Sequence, residues 1–354
     1  MNTLATEGFR AAPSRDERVY EAAKLFAEGK SGADHFKQAR LLEAFSTDDF
    51  PVLLGDAFSK QAVKAQQDAV KEFEPILTDV TVDDFNEHKL VDLWGNDAFE
   101  TVLQGEEYKG GILSETELTH KAAKHGKSYG LTWELRRSRQ FSALANFPKL
   151  LGNGSIKGQN NAVGALLTQT NGWDTGFFPS VATAAFTAEN LDAAIKALAV
   201  TEDHRGDLVD VSNLVLVHGP ALRTEVNRVL KAIELELQVT DGTKVTKTRM
   251  ANPFSNVVTP LESRTIGKLL GTKASGWALV QGKGSDLPSI IRTLLSGEEQ
   301  VDIRVKRDQG ARVGGGDLSP EDGSFNDDTI WFRGRDVYGI DEGFTTGVYA
   351  SNGS

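Results

Sequence analysis

No cysteine occurs anywhere in this chain of 354 residues. That absence excludes disulfides, thiolate metal sites and cysteine nucleophiles, and it removes any argument for an oxidising compartment. Long apolar runs are missing as well. The N-terminal MNTLATEGFRAAPSRDERVYEAAKLF has no apolar signal-peptide core, and no later segment approaches the roughly 20 apolar residues that span a bilayer. A soluble protein made in a cytoplasm is the expectation. Positive charge is in deficit, with 39 Lys and Arg against 50 Asp and Glu and a formal net charge of -11. This balance disfavours a phosphate-gripping role, because such affinity rests on clustered Lys and Arg. It does not forbid a shell around nucleic acid. Length alone allows a substantial core and two or three domains, and one intertwined two-domain unit is expected.

What is present is a mixture of helices and strands without a βαβ rhythm. The first fifty residues have helical spacing at Val19, Ala22, Ala23 and Phe26 and again around Phe36 to Phe45, but neither stretch buries much alone. The pattern predicts an amphipathic helix over Val52 to Phe73, closed by Pro75, and a long helix over Ser142 to Thr170. Gly152, Gly154, Gly158 and Gly164 interrupt the latter. Each costs about 1 kcal/mol relative to alanine in a helix interior, which predicts close backbone packing or a bend. NGWDTGFFP at 171–179 reads as a loop, and Thr187 caps a short helix with Leu191, Ala194, Ile195 and Leu198 on one face. VDVSNLVLV at 209–217 reads as a central strand ended by His218-Gly219-Pro220, with a helix over Ala221 to Leu235. Strands are expected at Ala278 to Gln281 and Val301 to Val305. A pair of extended segments over Ile330 to Tyr349, broken at Gly343, returns to an earlier sheet.

Leu103 to Arg139 reads as a two-stranded β-arm. Its return strand is expected to set Tyr129, Leu131, Trp133 and Leu135 on one side and Gly130, Thr132, Glu134 and Arg136 on the other. An isolated hairpin is marginal in water, so the arm needs a neighbour. Its charges are sorted, acidic early and basic late, and copies are expected to attract head to tail. The expected intersubunit contacts are Glu106, Glu107, Tyr108, Lys109, Glu115, Glu117, Lys121 and Lys124, with Leu131 and Trp133 packing at the base of the arm.

This order of elements resembles tailed-phage major capsid proteins of the Hong Kong 97 type. FPVLLGDAF at 50–58, GEEYKGGILSE at 105–115, FTAENLDAAIKAL at 186–198, NLVLVHGPAL at 213–222 and WFRGRDVYGID at 331–341 are similar to the branch related to Mu-like head subunits. With their spacing they cover most of residues 50 to 345. The resemblance implies a mainly α+β subunit with an N-terminal arm at 1–79, an extended loop (E-loop) with flanking strands at 80–141 and a peripheral domain with a spine helix at 142–209. An axial domain at 210–323 and terminal strands returning to the peripheral domain at 324–354 complete it. It further implies a structural subunit with no catalytic residue, cofactor or metal, assembling as hexamers and pentamers into an icosahedral shell. That shell encloses packaged double-stranded DNA without sequence-specific contacts. Scaffolding, portal and decoration proteins are expected to be separate partners. A virion built in the host cytoplasm, without a membrane, is the expected location. Some members carry a long cleaved scaffolding segment, whereas only some fifty residues precede FPVLLGDAF here. Others crosslink through lysine and asparagine near a carboxylate; Lys109 sits at the expected loop tip, but no partners are identifiable and that chemistry is not carried over.

Two other readings compete. One is an encapsulin-like compartment holding an enzyme cargo; the other is a cytoplasmic enzyme using His218 as base, although no serine or carboxylate spacing around it forms a triad. Gly282-Lys283-Gly284-Ser285 lacks the spacing of a phosphate loop and reads as a tight turn. His120 and His125, five apart on a strand, point to opposite faces and do not converge on a metal. Asp317, Glu321, Asp322, Asp327 and Asp328 lack calcium-loop spacing, and Arg205-Gly206-Asp207 and Asn153-Gly154-Ser155 read as coincidences of composition.

Overall fold

The computed structural model describes residues 49–95, 101–105, 107–108, 110–111, 113–132, 141–232, 234–241, 244–254, 257–306 and 326–353, with Lys24, Glu134 and Val313; residues 49–57, 131, 141–147, 234–241 and 244–251 are described by their backbone. The expected helices before residue 49 therefore lie outside the described residues.

Helix α1 spans Asp49–Asp68 and stops short of Phe73. Instead of extending the helix, the chain passes through a 3-10 turn at Glu74–Ile76 with Pro75 in its first positions and enters strand β1, Leu77–Val82. Phe73 and Ile76 are buried there. Strands β2 (His88–Gly95), β3 (Leu113–His120) and β4 (Ala123–Leu131) precede helix α2, Phe141–Leu167. A tight turn with Asn171 at φ 60 joins β5 (Thr168–Gln169) to β6 (Gly172–Trp173). After β7 (Val181–Ala182), helix α3 covers Ala188–Ala199, and the Thr187 side chain accepts from the Asn190 amide at 3.2 Å. Strand β8 is Leu214–His218.

The helix expected over residues 221–235 is shorter: after a 3-10 turn, α4 spans Arg223–Leu230. Its end has a physical cause. The Asn252 amide donates to the carbonyls of Val229, Leu230 and Ala232 at 2.8, 3.1 and 2.9 Å, supplying partners that a continuing helix would otherwise provide. A hairpin unforeseen in the sequence follows, β9 (Glu234–Asp241) and β10 (Lys244–Ala251). Then come β11 (Val258–Glu262), α5 (Arg264–Leu269), β12 (Trp277–Gln281), β13 (Ile290–Leu295), β14 (Asp302–Val305), β15 (Ile330–Glu342) and β16 (Tyr349–Ser351).

The chain divides into two units. The first comprises Met1–Ala69, His125–Ser155 and Gln300–Asp336. Here β14 pairs antiparallel with β15 from Asp302↔Arg335 to Val305↔Phe332, and α1 lies against α2. A Cβ on Gly152 would sit 2.2 Å from the Ala62 carbonyl oxygen. Glycine here serves close helix approach, one of the two reasons its sequence position suggested. Gln66 donates to Ser155 Oγ and accepts from the Val301 amide, both at 3.0 Å, and Ser155 donates to Asp336 at 2.5 Å.

The second unit comprises Val70–Lys124, Ile156–Glu299 and Val337–Ser354. One of its sheets has the order β11-β8-β12-β16-β7, with β8 and β12 buried at every position. Alternation along these strands divides the core. Val215, Val217, Ala278 and Val280 face Val163, Leu167, Ile266 and Leu270, whereas Leu214, Leu216, Trp277 and Leu279 face Leu191, Ala194, Leu198, Val226 and Val229. Helices thus cover both faces, which is why the strand sequences are continuously apolar. The 171–179 loop is no solvent loop: Trp173, Phe177 and Phe178 are fully buried, and the Trp173 indole donates to the Ser351 carbonyl at 3.0 Å. In a second sheet, β1 pairs parallel with β13, and β13 pairs antiparallel with the end of β15.

Candidate assembly surface

The two-stranded arm expected within Leu103 to Arg139 is not the pairing observed: among the described residues β3 and β4, the strands of that stretch, pair with β2 and β15 and not with each other. β2 pairs antiparallel with β3, from His88↔His120 to Gly95↔Leu113, so the outgoing strand precedes residue 103 and the return strand is Leu113–His120. Tyr129 and Gly130 belong to β4, which pairs with β15 instead. Alternation in one strand alone does not reveal its partner.

Register gives this ribbon two unlike faces. Leu90, Asp92, Trp94, Thr116, Leu118 and His120 form the inner, half-buried to buried face. On the outer face, Val91, Leu93 and Leu113 are 46%, 65% and 77% exposed, beside exposed Glu115 and Glu117. Lys89 forms an ion pair with Glu117 on that side.

The inner face is held by a loop from elsewhere in the chain. Arg205 Nε and Nη2 donate to the two Asp92 carboxylate oxygens, each at 2.9 Å, and His204 Nε2 lies 2.6 Å from Asp92 Oδ2. The His204 ring stacks on Phe344 with centroids 4.6 Å apart and receives the edge of Trp94. Leu118 packs on Val209, Leu287 and Phe344. The loop itself is preset, since Asp203 Oδ1 accepts from the Arg205 and Asp207 amides at 2.8 and 3.0 Å and Gly206 takes φ +86. Burial alone would raise the Asp92 carboxyl, but the hydrogen bonds and positive charge of His204 and Arg205 outweigh it and hold the group below the ordinary carboxylate range. Arg205 in Arg-Gly-Asp therefore has a structural partner, which its sequence neighbourhood did not reveal. At the ribbon's base, His120 Nδ1 lies 3.0 Å from Thr293 Oγ1, and burial pushes its imidazole below the usual value, aided by the adjacent His88.

The expected contact residues are separated by the structure. Glu107 and Tyr108 are exposed in the connection between β2 and β3, and Glu115 and Glu117 lie on the ribbon's outer face. Lys121 and Lys124 are exposed beyond its base. The Lys121 amide donates to Asp341 at 3.0 Å. Glu106, Lys109 and Trp133 lie outside the described residues, as does the side chain of Leu131. Asp92, Trp94, Val91 and Leu93 were missed because they lie on the strand that had not been assigned to the arm.

Other sequence candidates have local explanations. Lys283 of the glycine-rich turn reaches Asp79 at 2.7 Å and Glu74 at 3.4 Å, and Arg292 reaches the same two carboxylates at 2.6 and 2.9 Å. His218 is buried with Nδ1 2.8 Å from the Gly219 carbonyl, and burial pushes its imidazole below the usual value. Among the described residues no group of three or more His, Asp or Glu is placed to hold a metal ion, and no helix is long and apolar enough to cross a membrane.

A family model described as phage capsid protein matches residues 115–351, well over half of the chain, and the chain belongs to that family. No curated protein matches it. Among solved structures, the chain is similar to one from Mycobacterium phage Bobi, at 12% identity and TM-score 0.48 over 81% of this chain and 91% of that one. One from Gordonia phage Cozz matches at 12% identity and TM-score 0.47 over 79% and 85%. A virus-like particle from Pyrococcus furiosus matches at 7% identity and TM-score 0.46 over 83% and 98%.

Proposed function

We propose that this chain is a major head subunit with the Hong Kong 97-type arrangement, related to the Mu-like branch. Copies assemble as hexamers and pentamers into an icosahedral shell that encloses double-stranded DNA without reading its sequence. The carrying observation is the ribbon of β2 and β3. Its inner face is held by Asp92, Trp94 and Leu118, while its outer face leaves Val91, Leu93 and Leu113 to solvent. An apolar strip rimmed by charge marks an interaction surface, and membership of a capsid family makes another copy its natural occupant. Weak contacts suffice, because a closed shell makes many at once.

On this reading the ribbon is the core of the extended loop at 80–141. Residues 1–79 are the arm, 142–209 the peripheral domain, 210–323 the axial domain and 324–354 the returning strands. Glu106, Glu107, Tyr108, Lys109, Glu115 and Glu117 belong to the contact between copies, with Lys121 and Lys124 at its root and Leu131 and Trp133 packing beyond it. The subunit performs no catalysis and uses no cofactor; scaffolding, portal and decoration proteins are separate chains, and assembly precedes residence in the virion. Size-exclusion chromatography with negative-stain microscopy tests this: closed particles or capsomers support it, and a small oligomer under every condition overturns it. Particles filled with a protein cargo and devoid of DNA would move the assignment to an encapsulin-like compartment.

A further inference from the structure

The hairpin of β9 and β10 separates its charges by strand. β9 carries Glu234, Glu236 and Asp241 and no basic residue, whereas β10 carries Lys244, Lys247 and Arg249 and no acidic one. Register sets Glu236 opposite Arg249 and Asp241 opposite Lys244. Mixed signs on each strand would give cross-strand pairs just as well, so pairing within the hairpin does not require this sorting. Its consequence lies at the edges. Among the described residues these strands form a two-stranded sheet, which leaves one acidic outer edge and one basic outer edge. β9 also lacks the lysine and proline that commonly blunt an edge strand.

We propose that this hairpin is a head-to-tail contact between copies of the chain, the acidic strand of one copy lying beside the basic strand of the next. A two-fold contact of hairpin with hairpin would set like edge against like edge. Opposite edges meet only when each copy uses a different edge toward each neighbour, the heterologous arrangement that closes into rings. The partner is a second copy because the complementary charge is carried by the same chain. This inference rests on the shell reading and deepens it, by naming a surface that sets the direction of association around a ring.

The test uses the full chain in two complementary forms. Glu234→Lys with Glu236→Lys makes both strands basic, and Lys247→Glu with Arg249→Glu makes both acidic. Each alone is expected to lower particle yield at least about tenfold, because juxtaposed like charge disfavours the contact. Mixed in equal amounts, the two forms are expected to recover six-membered rings, read by size-exclusion chromatography, since acidic and basic edges alternate again around an even ring while a five-membered ring keeps one like-charge junction. A purely internal role predicts no recovery on mixing. Normal yield from either form alone, or no recovery from two forms that circular dichroism shows to be folded, overturns the contact while wild-type particles keep the shell reading intact. Wild type that forms no particles overturns both. Should a reversed form lose its fold, Glu234→Gln with Glu236→Gln and Lys247→Gln with Arg249→Gln decide, through a smaller loss of yield in each; unchanged yield in both again overturns the contact.

Discussion

The central strands β8 and β12 and the ribbon of β2 and β3 are both strand pairs in the same unit, yet they bury themselves differently. Every residue of β8 and β12 is covered, with a hydrophobic cluster on each face. The ribbon covers only its inner face. An antiparallel pair can leave one face in water, but this one exposes Val91, Leu93 and Leu113 there, which on the proposed shell reading a neighbour covers. The contrast separates residues that hold the subunit together from residues that, on the proposed reading, serve assembly.

The largest effect that would sharpen this contrast is expected at Trp277, fully buried, with its indole donating to the Ala184 carbonyl and its ring packed by Phe186 and Tyr349. Trp277→Ala is expected to cost about 3 to 5 kcal/mol, read from chemical denaturation. Next comes Arg292, nearly buried between Glu74 and Asp79. Removing it leaves the partly exposed carboxylates with Lys283 alone, and Arg292→Met is expected to cost about 1 to 3 kcal/mol. A pH series reads the same cluster. Burial alone would raise Glu74 and Asp79, but hydrogen bonds and charge from Arg292 and Lys283 hold both below their ordinary values. Groups with depressed folded values contribute fully above their unfolded values and lose that contribution as pH falls through the folded ones. Stability is therefore expected to fall below the ordinary carboxylate range, with a shallower fall in Arg292→Met.

A comparable effect is expected at the ribbon's root. Asp92→Ala removes the hydrogen bonds from Arg205 and His204, a loss of about 1 to 3 kcal/mol for bonds to a charged group, visible as faster amide exchange in β2. Unchanged exchange would mean that Trp94 and Leu118 hold the ribbon without it. The smallest effect on the subunit belongs to the outer face. Val91→Lys with Leu93→Lys is expected to shift monomer stability by less than about 0.5 kcal/mol, as exposed substitutions do, while abolishing particle formation. Normal particles from that variant would break the comparison, because the open face would then need no cover.

Legibility followed the range of the interactions. The helix at Ala188–Ala199 was readable to its cap, since Thr187 and the apolar spacing of Leu191, Ala194 and Leu198 lie within a few residues. The apolar run ending at Val217 announced a central strand for the same reason. The ribbon's pairing was not legible: the polar, glycine-punctuated stretch after Leu103 read as a hairpin of its own, whereas His88–Gly95, the actual partner of Leu113–His120, mixes apolar residues on both faces and gives no clean period. The helix after Pro220 was overextended because its stop comes from Asn252, more than twenty residues away from the carbonyls it caps.

By itself the sequence determined that no disulfide or thiolate chemistry operates here, where the helices with local caps form, and which strands are apolar enough to be covered on both faces. Only the tertiary structure decided that Leu113–His120 returns along His88–Gly95, that Arg205 is spent on Asp92, and that Lys283 belongs to an ion cluster instead of a phosphate loop. The physical reason is that capping and periodicity act within a turn or two of chain, whereas strand partners and buried ion pairs are selected by the free energy of packing between segments far apart in sequence.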